Sequence, residues 1–377
     1  MPRLVLALTD PYSALLLRGQ IAYLTRRGFD VHLVTGPGEL GTARAIDEGA
    51  THHTVAIARD IALTQDRHAV VTLTRLLRRL APDLIDGSTP KAGLLSMIAA
   101  TAARVPMRVH TLRGLRVETA RGLRRGVLWA GHRVTCGLAH RVICVGPSLR
   151  ARAIELGVVA ADKAIVLGPG SSNGVDLDRF ERTRHRTAGA ALRRELGIPV
   201  GAPVVAFVGR LTADKGLAEL AAAWPGVGRG AHLLVVGPDD ATDPIAPATR
   251  AALLADPSVH LLGDRLEVAP IYAAAELLVL PSRREGLANV LLEAGAMELP
   301  TIATDIPGCV DVIVPGVTGT LVGVGDVAAL TRAMIGYLDD DARRARHGAA
   351  ARLRVARDFR MTDVWARVAD AYEELLR

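Results

Sequence analysis

Short apolar runs alternate with longer helix-periodic stretches along nearly the whole chain, and this alternation limits the fold more than any other feature. In the first half the predicted strands are Leu4 to Leu8, Val31 to Thr35, Thr54 to Ile57, Leu84-Ile85, Arg108 to Thr111, Arg141 to Val145 and Ala164 to Leu167. Between them the spacing predicts helices over Ser13 to Arg27, Glu39 to Gly49, Ala69 to Leu80, Lys91 to Ala103, a basic stretch from Thr119 to Ala139, and Ser148 to Leu156. A Gly-rich loop, Gly168 to Asp176, and a polar stretch, Glu181 to Gly189, then read as a boundary. A second series follows, with strands at Pro203 to Gly209, Leu233 to Gly237, Val259 to Leu262, Leu277 to Leu280, Thr301 to Thr304 and Thr320 to Val322. Strands that alternate with helices argue for βαβ units and parallel sheets. The expected organisation is a domain over 1–185, a second over 186–360, and a terminal helix over 361–377 returning to the first.

Composition agrees with packed sheets and helices. Half of the 377 residues are apolar but only 3% are aromatic, so the cores must be built of Leu, Val, Ile and Ala. Three cysteines, an odd count with no CxxC spacing, read as reduced thiols of a cytosolic protein. The apolar run Ala92 to Val105 is shorter than the ~20 residues needed to span a bilayer.

The net charge of +7 is unevenly placed. Residues 1–185 hold 26 Lys+Arg against 15 Asp+Glu, and residues 186–377 hold 20 against 24. That asymmetry points to an anionic partner for the first half. No aromatic interleaving or nucleic-acid module accompanies it, so nucleic acid is not expected. Arg113, Arg116, Arg121, Arg124, Arg125 and Arg133 crowd one region, with Leu123, Val127, Leu128 and Trp129 among them. A basic amphipathic helix of this kind suits an anionic membrane surface.

Ligands of parallel sheets bind outside the carboxyl ends of the strands, and two constellations fall there. Gly209-Arg210 follows a strand and Lys215-Gly216 lies five residues on, placing two cations where a diphosphate could sit. After Leu277 to Leu280 comes PSRREGLANVLLE, in which Glu285 and Glu293 are separated by a little over two turns at ~3.6 residues per turn, so both carboxylates are expected near one helical face. Amides of Gly286 to Val290 are expected to open a helix there, an arrangement that attracts phosphate. Taken alone, the acids also read as an ordinary helix-start acid and a solvated one.

GRLTADKG, a strand ending in VGPDD, and the two glutamates occur in order at strand ends of one domain. With SNGVDLDRF and IPGCVDVIVPGVTGTLV, the chain resembles the retaining glycosyltransferases of family GT4. STPKAGLL and TLRGLRVETARG resemble members that build bacterial surface glycans on lipid carriers. The resemblance implies a GT-B fold, two Rossmann-like α/β domains facing a central cleft. It implies a nucleoside-diphosphate sugar donor, UDP favoured, from which a hexose or N-acetylhexosamine passes to a saccharide acceptor, lipid-linked, at the inner face of the membrane. It implies no metal and no cofactor, so Asp239-Asp240 and Asp339 to Asp341 read as solvated acids. Arg210 and Lys215 are implied to hold the diphosphate, Glu293 the ribose and Glu285 the donor sugar. The donor site would run through Gly209, Gly286, Leu287, Ala288, Asn289 and Val290. His110 matches the family's histidine at a strand end facing the donor, and is expected to be catalytic. Tyr12, Ser13, Lys91 and Arg113 are expected on the acceptor side. The family's glycine pair after the first strand is replaced by Thr9-Asp10-Pro11-Tyr12-Ser13. Alternatives are a transferase acting on soluble acceptors in natural-product assembly, a nucleotide-sugar epimerase, and a non-catalytic nucleotide-sugar-binding module.

Overall fold

A computed structural model of the chain describes residues 1–58, 62–240 and 243–377. It divides into two compact units, Met1–Gly174 with Met361–Arg377, and Val175–Arg360. The first contains strands β1 (Arg3–Ala7), β2 (Asp30–Thr35), β3 (Thr51–Thr54), β4 (Leu84–Ser88), β5 (Met107–Leu112), β6 (Arg141–Cys144) and β7 (Ala164–Ile165). Its helices are α1 (Gln20–Arg26), α2 (Glu39–Asp47), α3 (Leu63–Leu80), α4 (Pro90–Ala103), α5 (Gly122–Leu138) and α6 (Pro147–Glu155). All pairings are parallel, in the order β3-β2-β1-β4-β5-β6-β7.

The second unit opens with α7 (Arg182–Glu195) and continues with β8 (Val204–Val208), α8 (Leu217–Ala223), β9 (His232–Val236), α9 (Pro247–Ala255), β10 (Val259–Leu261), α10 (Ala269–Ala274) and β11 (Leu277–Leu280). Then come α11 (Asn289–Ala296), β12 (Thr301–Thr304), β13 (Gly319–Val322), α12 (Val327–Leu338) and α13 (Asp341–Asp358). Its parallel sheet has the order β10-β9-β8-β11-β12-β13. The terminal helix α14 (Met361–Leu375) belongs to the first unit.

Each sheet reverses its strand order once, between β1 and β4 and between β8 and β11. At such a switch point neighbouring connections leave on opposite faces, and a crevice opens at the strands' carboxyl ends. Alternation along β1 sends Leu4, Leu6 and Leu8 into one core with Ile21, Leu24, Phe29, Ala369 and Tyr372. The apolar stretch in α4 is core, with Ala92, Leu95, Met97, Ala99 and Ala100 buried.

The boundary falls at 174/175 and not at 185/186. Glu181 to Gly189, expected as a linker, is mostly α7, which packs on α10; a Cβ at Gly189 would come within 2.8 Å of the backbone at Ala273-Ala274. Val175 N–H donates to Phe359 O at 2.8 Å, so the chain already belongs to the second unit there. The helix expected over Ser13 to Arg27 is split. Pro11–Leu17 is a 3-10 segment capped by Asp10, and α1 starts after Gly19. Gly19 has φ +77° beneath Trp365, whose ring a Cβ would meet at 2.3 Å, so α14 and the break require each other. The third strand lies at Thr51–Thr54, three residues earlier than expected, because its His and Thr residues pair with β2 while the apolar Val55 to Ile57 follow the strand.

Polar contacts anchor α14. Trp365 Nε1 donates to Asn173 Oδ1 at 2.8 Å, and Tyr372 OH donates to Asp86 Oδ2 at 2.6 Å. Asp86 is buried and also accepts from the Thr111 amide and hydroxyl, at 3.0 and 2.6 Å. Tyr372→Phe keeps the ring, which packs edge-on to Phe29 at 6.4 Å, and removes one donor. The substitution should lower stability by roughly 1–3 kcal/mol, the cost of an under-satisfied buried acceptor. An unchanged thermal midpoint would show that Thr111 alone satisfies Asp86.

Candidate functional site

At the second switch point, loops after β8 and β11 come together. Lys215 lies in a 3-10 turn, Ala213–Lys215, after β8, and its Nζ donates to Glu285 Oε1 at 2.6 Å. Ser282 Oγ donates to the same oxygen at 2.8 Å. The two loops touch through Gly216, where φ is +73° and a Cβ would fall 1.9 Å from the Pro281 carbonyl. No other residue type fits at that approach. Beneath them, Asp214 takes Thr212 Oγ1 at 2.6 Å and Arg284 Nη2 at 2.5 Å. Burial alone would raise the Asp214 carboxyl; the Thr212 hydroxyl, Arg284 and Lys215 together hold it below the usual range. Arg283 pairs with Glu219. Arg210, after β8, pairs with Asp240, after β9, at 2.5 Å.

This corrects two expectations. Asp240 is not a solvated acid: it is 6% exposed and faces Arg210. Asp239 does remain at the surface, paired with Arg250, as do Asp339 to Asp341. Glu285 does not share a helical face with Glu293, because α11 starts only at Asn289. Residues 281–288 are held as a loop by the pairs of Arg283 and Arg284 and by Gly308, where a Cβ would meet Gly286 O at 2.7 Å. The amides of Asn289 and Val290 open α11, which has no side-chain cap. Asn289 Oδ1 is buried without a hydrogen-bond partner. Gly286, Leu287 and Ala288 are buried in the preceding loop, and Gly209 follows β8 beside Arg210.

Glu293 lies one turn into α11 and accepts from Tyr272 OH at 2.8 Å. Burial pushes its carboxyl up to about 7, against the opposing pull of the Tyr272 hydroxyl and Arg179. Tyr272 and Asp214 were given no role from the sequence. Tyr272 carried one signal, a lone aromatic in an Ala-rich helix whose hydroxyl needs a partner when buried.

In the first unit the expected residues separate. Tyr12 (exposed) and Ser13 follow β1, Lys91 opens α4 after β4, and Arg113 follows β5, all at the sheet's carboxyl edge. Thr9 fills the place where glycine was expected: its Oγ1 bonds Thr89 Oγ1 at 2.7 Å and takes the Ala92 amide at 3.3 Å. Lys91 is paired with Asp66 at 2.8 Å. Arg113 donates to the Ser172 carbonyl at 3.2 Å. His110 is not at a strand end. It lies inside β5, 2% exposed, with Nδ1 donating to Gly87 O at 2.6 Å, under Gly93 of α4. Burial lowers its pKa to about 4, so the ring is neutral, protonated on Nδ1. Among the described residues, no group of three or more His, Cys, Asp or Glu could hold a metal.

The model of the group 1 glycosyl transferases matches residues 202–340, and that of the glycosyl transferase 4-like domain matches residues 15–170. The capsular polysaccharide biosynthesis glycosyltransferase CapM of Staphylococcus aureus is 30% identical over 365 residues, covering 96% of this chain and 94% of CapM. The chain belongs to this glycosyltransferase family. An Escherichia coli member named as a UDP-Gal:alpha-D-GlcNAc-diphosphoundecaprenol alpha-1,3-galactosyltransferase is 24% identical over 323 residues, 84% of this chain and 82% of that one. The crystal structure of Anabaena HepE with UDP and glucose matches at a TM-score of 0.84 and 18% identity, over 99% of this chain and all of HepE. The two sheets of this glycosyltransferase are thus those of the GT-B fold.

Glu293 supplies a pH test. Between about 4.5 and 7 the unfolded chain has lost this proton while the folded glycosyltransferase keeps it, so stability falls as pH rises through that window. Glu293→Gln should remove this component: the variant's thermal midpoint should drop less than the parent's between pH 5 and 7.5. Parallel curves would mean that Glu293 ionises normally.

Proposed function

We propose that this glycosyltransferase is a retaining, metal-independent enzyme. It moves a hexose or N-acetylhexosamine from a UDP-sugar to a saccharide acceptor carried on lipid, in assembly of a bacterial surface glycan. The observation that carries the reading is the Lys215–Glu285 contact at the β8/β11 switch point, with Arg210 on the same strand's exit. Arg210 and Lys215 take the diphosphate, and the amides of Asn289 and Val290 cap its distal phosphate. Gly209 and residues Gly286 to Ala288 line the approach. Glu293 holds the ribose hydroxyls and Glu285 the hydroxyls of the donor sugar. The relatives support the donor and acceptor classes, since HepE crystallises with UDP and glucose and the E. coli member is named for a diphosphoundecaprenol acceptor.

The chemistry follows from the charges. As the bond between the anomeric carbon and the β-phosphate oxygen breaks, negative charge grows on that phosphate and positive character on the sugar ring. Fixed cations meet the first without reorganisation, and the Glu285 carboxylate meets the second. The departing phosphate oxygen takes the acceptor hydroxyl proton as the acceptor oxygen bonds the same face of the sugar, so no protein base is needed. This reading gives His110 no role in the step, since its ring is packed beneath α4. Arg210→Ala or Lys215→Ala should lower kcat by roughly a hundredfold or more, the scale for one transition-state donor. Unchanged turnover with UDP-sugars in both variants would sink the assignment.

The membrane reading rests on α5. Leu123, Val127 and Val134 are exposed along one stripe of this helix, and Arg121, Arg124, Arg125 and Arg133 are exposed around it. Trp129 is tied to the body through Nε1, which donates to Leu156 O at 2.8 Å. No described helix is long and apolar enough to cross a membrane. A peripheral position at the inner membrane face uses this stripe for the acyl boundary and the arginines for anionic headgroups. Anionic vesicles should retain the protein at low salt and release it at high salt, and Leu123→Glu with Val127→Glu should abolish retention. Equal binding to neutral vesicles would refute the electrostatic part.

A further inference from the structure

Glu293 is held at one oxygen and open at the other. Tyr272 OH donates to Oε2 at 2.8 Å, reaching from α10 to α11. Tyr272 is 0% exposed and packs on Phe180 at 6.1 Å between ring centroids, so its hydroxyl is fixed in place. Burial and the neighbouring Glu293 carboxylate raise the phenol well above its ordinary range, so this hydroxyl always donates. Glu293 is partly exposed, and Oε1 makes no hydrogen bond among the described residues. Arg179, of SNGVDLDRF, completes the surroundings. Its Nη2 reaches Leu266 O at 3.2 Å and Glu267 Oε1 at 3.3 Å, and its Cζ sits 5.1 Å from the Phe180 centroid. The strands beside α11, LLVL and TIAT, carry no ionisable side chain, and α13 meets α11 at Gly295 through Ala351 and Val355.

This geometry says where a proton sits. A neutral carboxyl keeps its proton on one oxygen and accepts best at the other, and Oε2 is the one that accepts from Tyr272. The proton is therefore on Oε1, the oxygen left for a ligand. Burial raises the carboxyl to about 7 while Tyr272 and Arg179 pull it down, so both forms are present at neutral pH. A ribose hydroxyl donating to Oε1 meets a proton in the neutral form and a free acceptor in the ionised form. Hydrogen bonds to an ionised acceptor are roughly twice as strong as neutral ones. The ligand thus selects the ionised form, and the proton passes to solvent.

We infer that Tyr272 is a positioning residue for the donor: by holding Glu293 Oε2 it assigns Oε1 to the ribose, and donor binding releases the Glu293 proton to solvent. The inference rests on the proposed donor site. The test is isothermal titration calorimetry of UDP-glucose, UDP-galactose and UDP-N-acetylglucosamine into the full chain, in two buffers of different ionisation enthalpy. None of these donors has a group that titrates between pH 6 and 8. Most of a proton should be released per site at pH 6, about half at pH 7 and little at pH 8, with affinity rising over the same window. Glu293→Gln should bind without release. Tyr272→Phe keeps the ring and removes the hydroxyl, so its release profile should move up by roughly one pH unit. At pH 7 its donor binding should weaken about fivefold, as the ionised fraction falls from about a half to about a tenth, and the loss should shrink toward pH 8. A structural role alone would lower the thermal midpoint of Tyr272→Phe and leave the release profile in place. Donor binding without proton release, release retained in Glu293→Gln, or an unmoved profile in Tyr272→Phe would each overturn the inference and leave the donor assignment standing. Binding of none of the three donors would overturn the donor assignment, and the inference with it.

Discussion

Lys215 and Glu285 are seventy residues apart and meet at 2.6 Å because β8 and β11 are neighbours. Everything assigned to the donor depends on that adjacency. It is set by the strand order, and the strand order follows from parallel pairing with connections leaving on opposite faces. The contact then depends on backbone clearance, since any side chain at Gly216 would drive the loop off the Pro281 carbonyl. Asp214 adds a second tie between the same loops through Arg284. A rigid sheet thus positions the two strand exits, and buried polar ties fix the side chains on them. Such a shell is what keeps a catalytic group in place.

The first unit solves a different problem. Its terminal helix comes from the far end of the chain and must be fixed to a sheet completed before residue 170. Ala369 and Tyr372 join the core that contains Leu4, Leu6 and Leu8, but packing alone is non-directional. The register comes from Trp365 on Asn173, Tyr372 on Asp86 and the gap left by Gly19. Asn173 belongs to SNGVDLDRF, so a residue two positions before Val175, where the second unit begins, also holds the helix that returns. Val175 beside Arg360 places the two chain crossings next to each other on the second unit.

Much of this was legible in the residues, and the reasons for the exceptions are physical. Apolar period identified both sheets, since buried parallel strands read as continuous Val, Leu and Ile runs. It misplaced β3, an edge strand of Thr and His whose pairing is set by β2 and not by burial. It missed α7, whose sequence RTRHRTAGAALRRE is too polar to signal a helix and is held by its packing on α10. In the site, residue types and order were readable, but partners were not. Arg210 and Lys215 looked like two free cations, because nothing local shows that Asp240 and Glu285 come from neighbouring strand exits. His110 was misread for the opposite reason: local position suggested a strand end, while the strand runs two residues further, to Leu112.

The pairing of these cations bears on how an anionic donor can be recognised at all. Arg210, Lys215, Arg283 and Arg284 each face a carboxylate, and residues 186–377 carry more acids than bases. The donor region therefore has no broad positive field to draw in any phosphate compound. Selection must come from geometry, through cations already fixed by their acids and through the oriented amides at the start of α11. The excess of positive charge lies in the other half, around α3 to α6, where steering toward an anionic surface needs charge and not geometry. Under the proposed function, separating the two tasks would let the basic face meet a membrane without making the nucleotide site a sink for free phosphate.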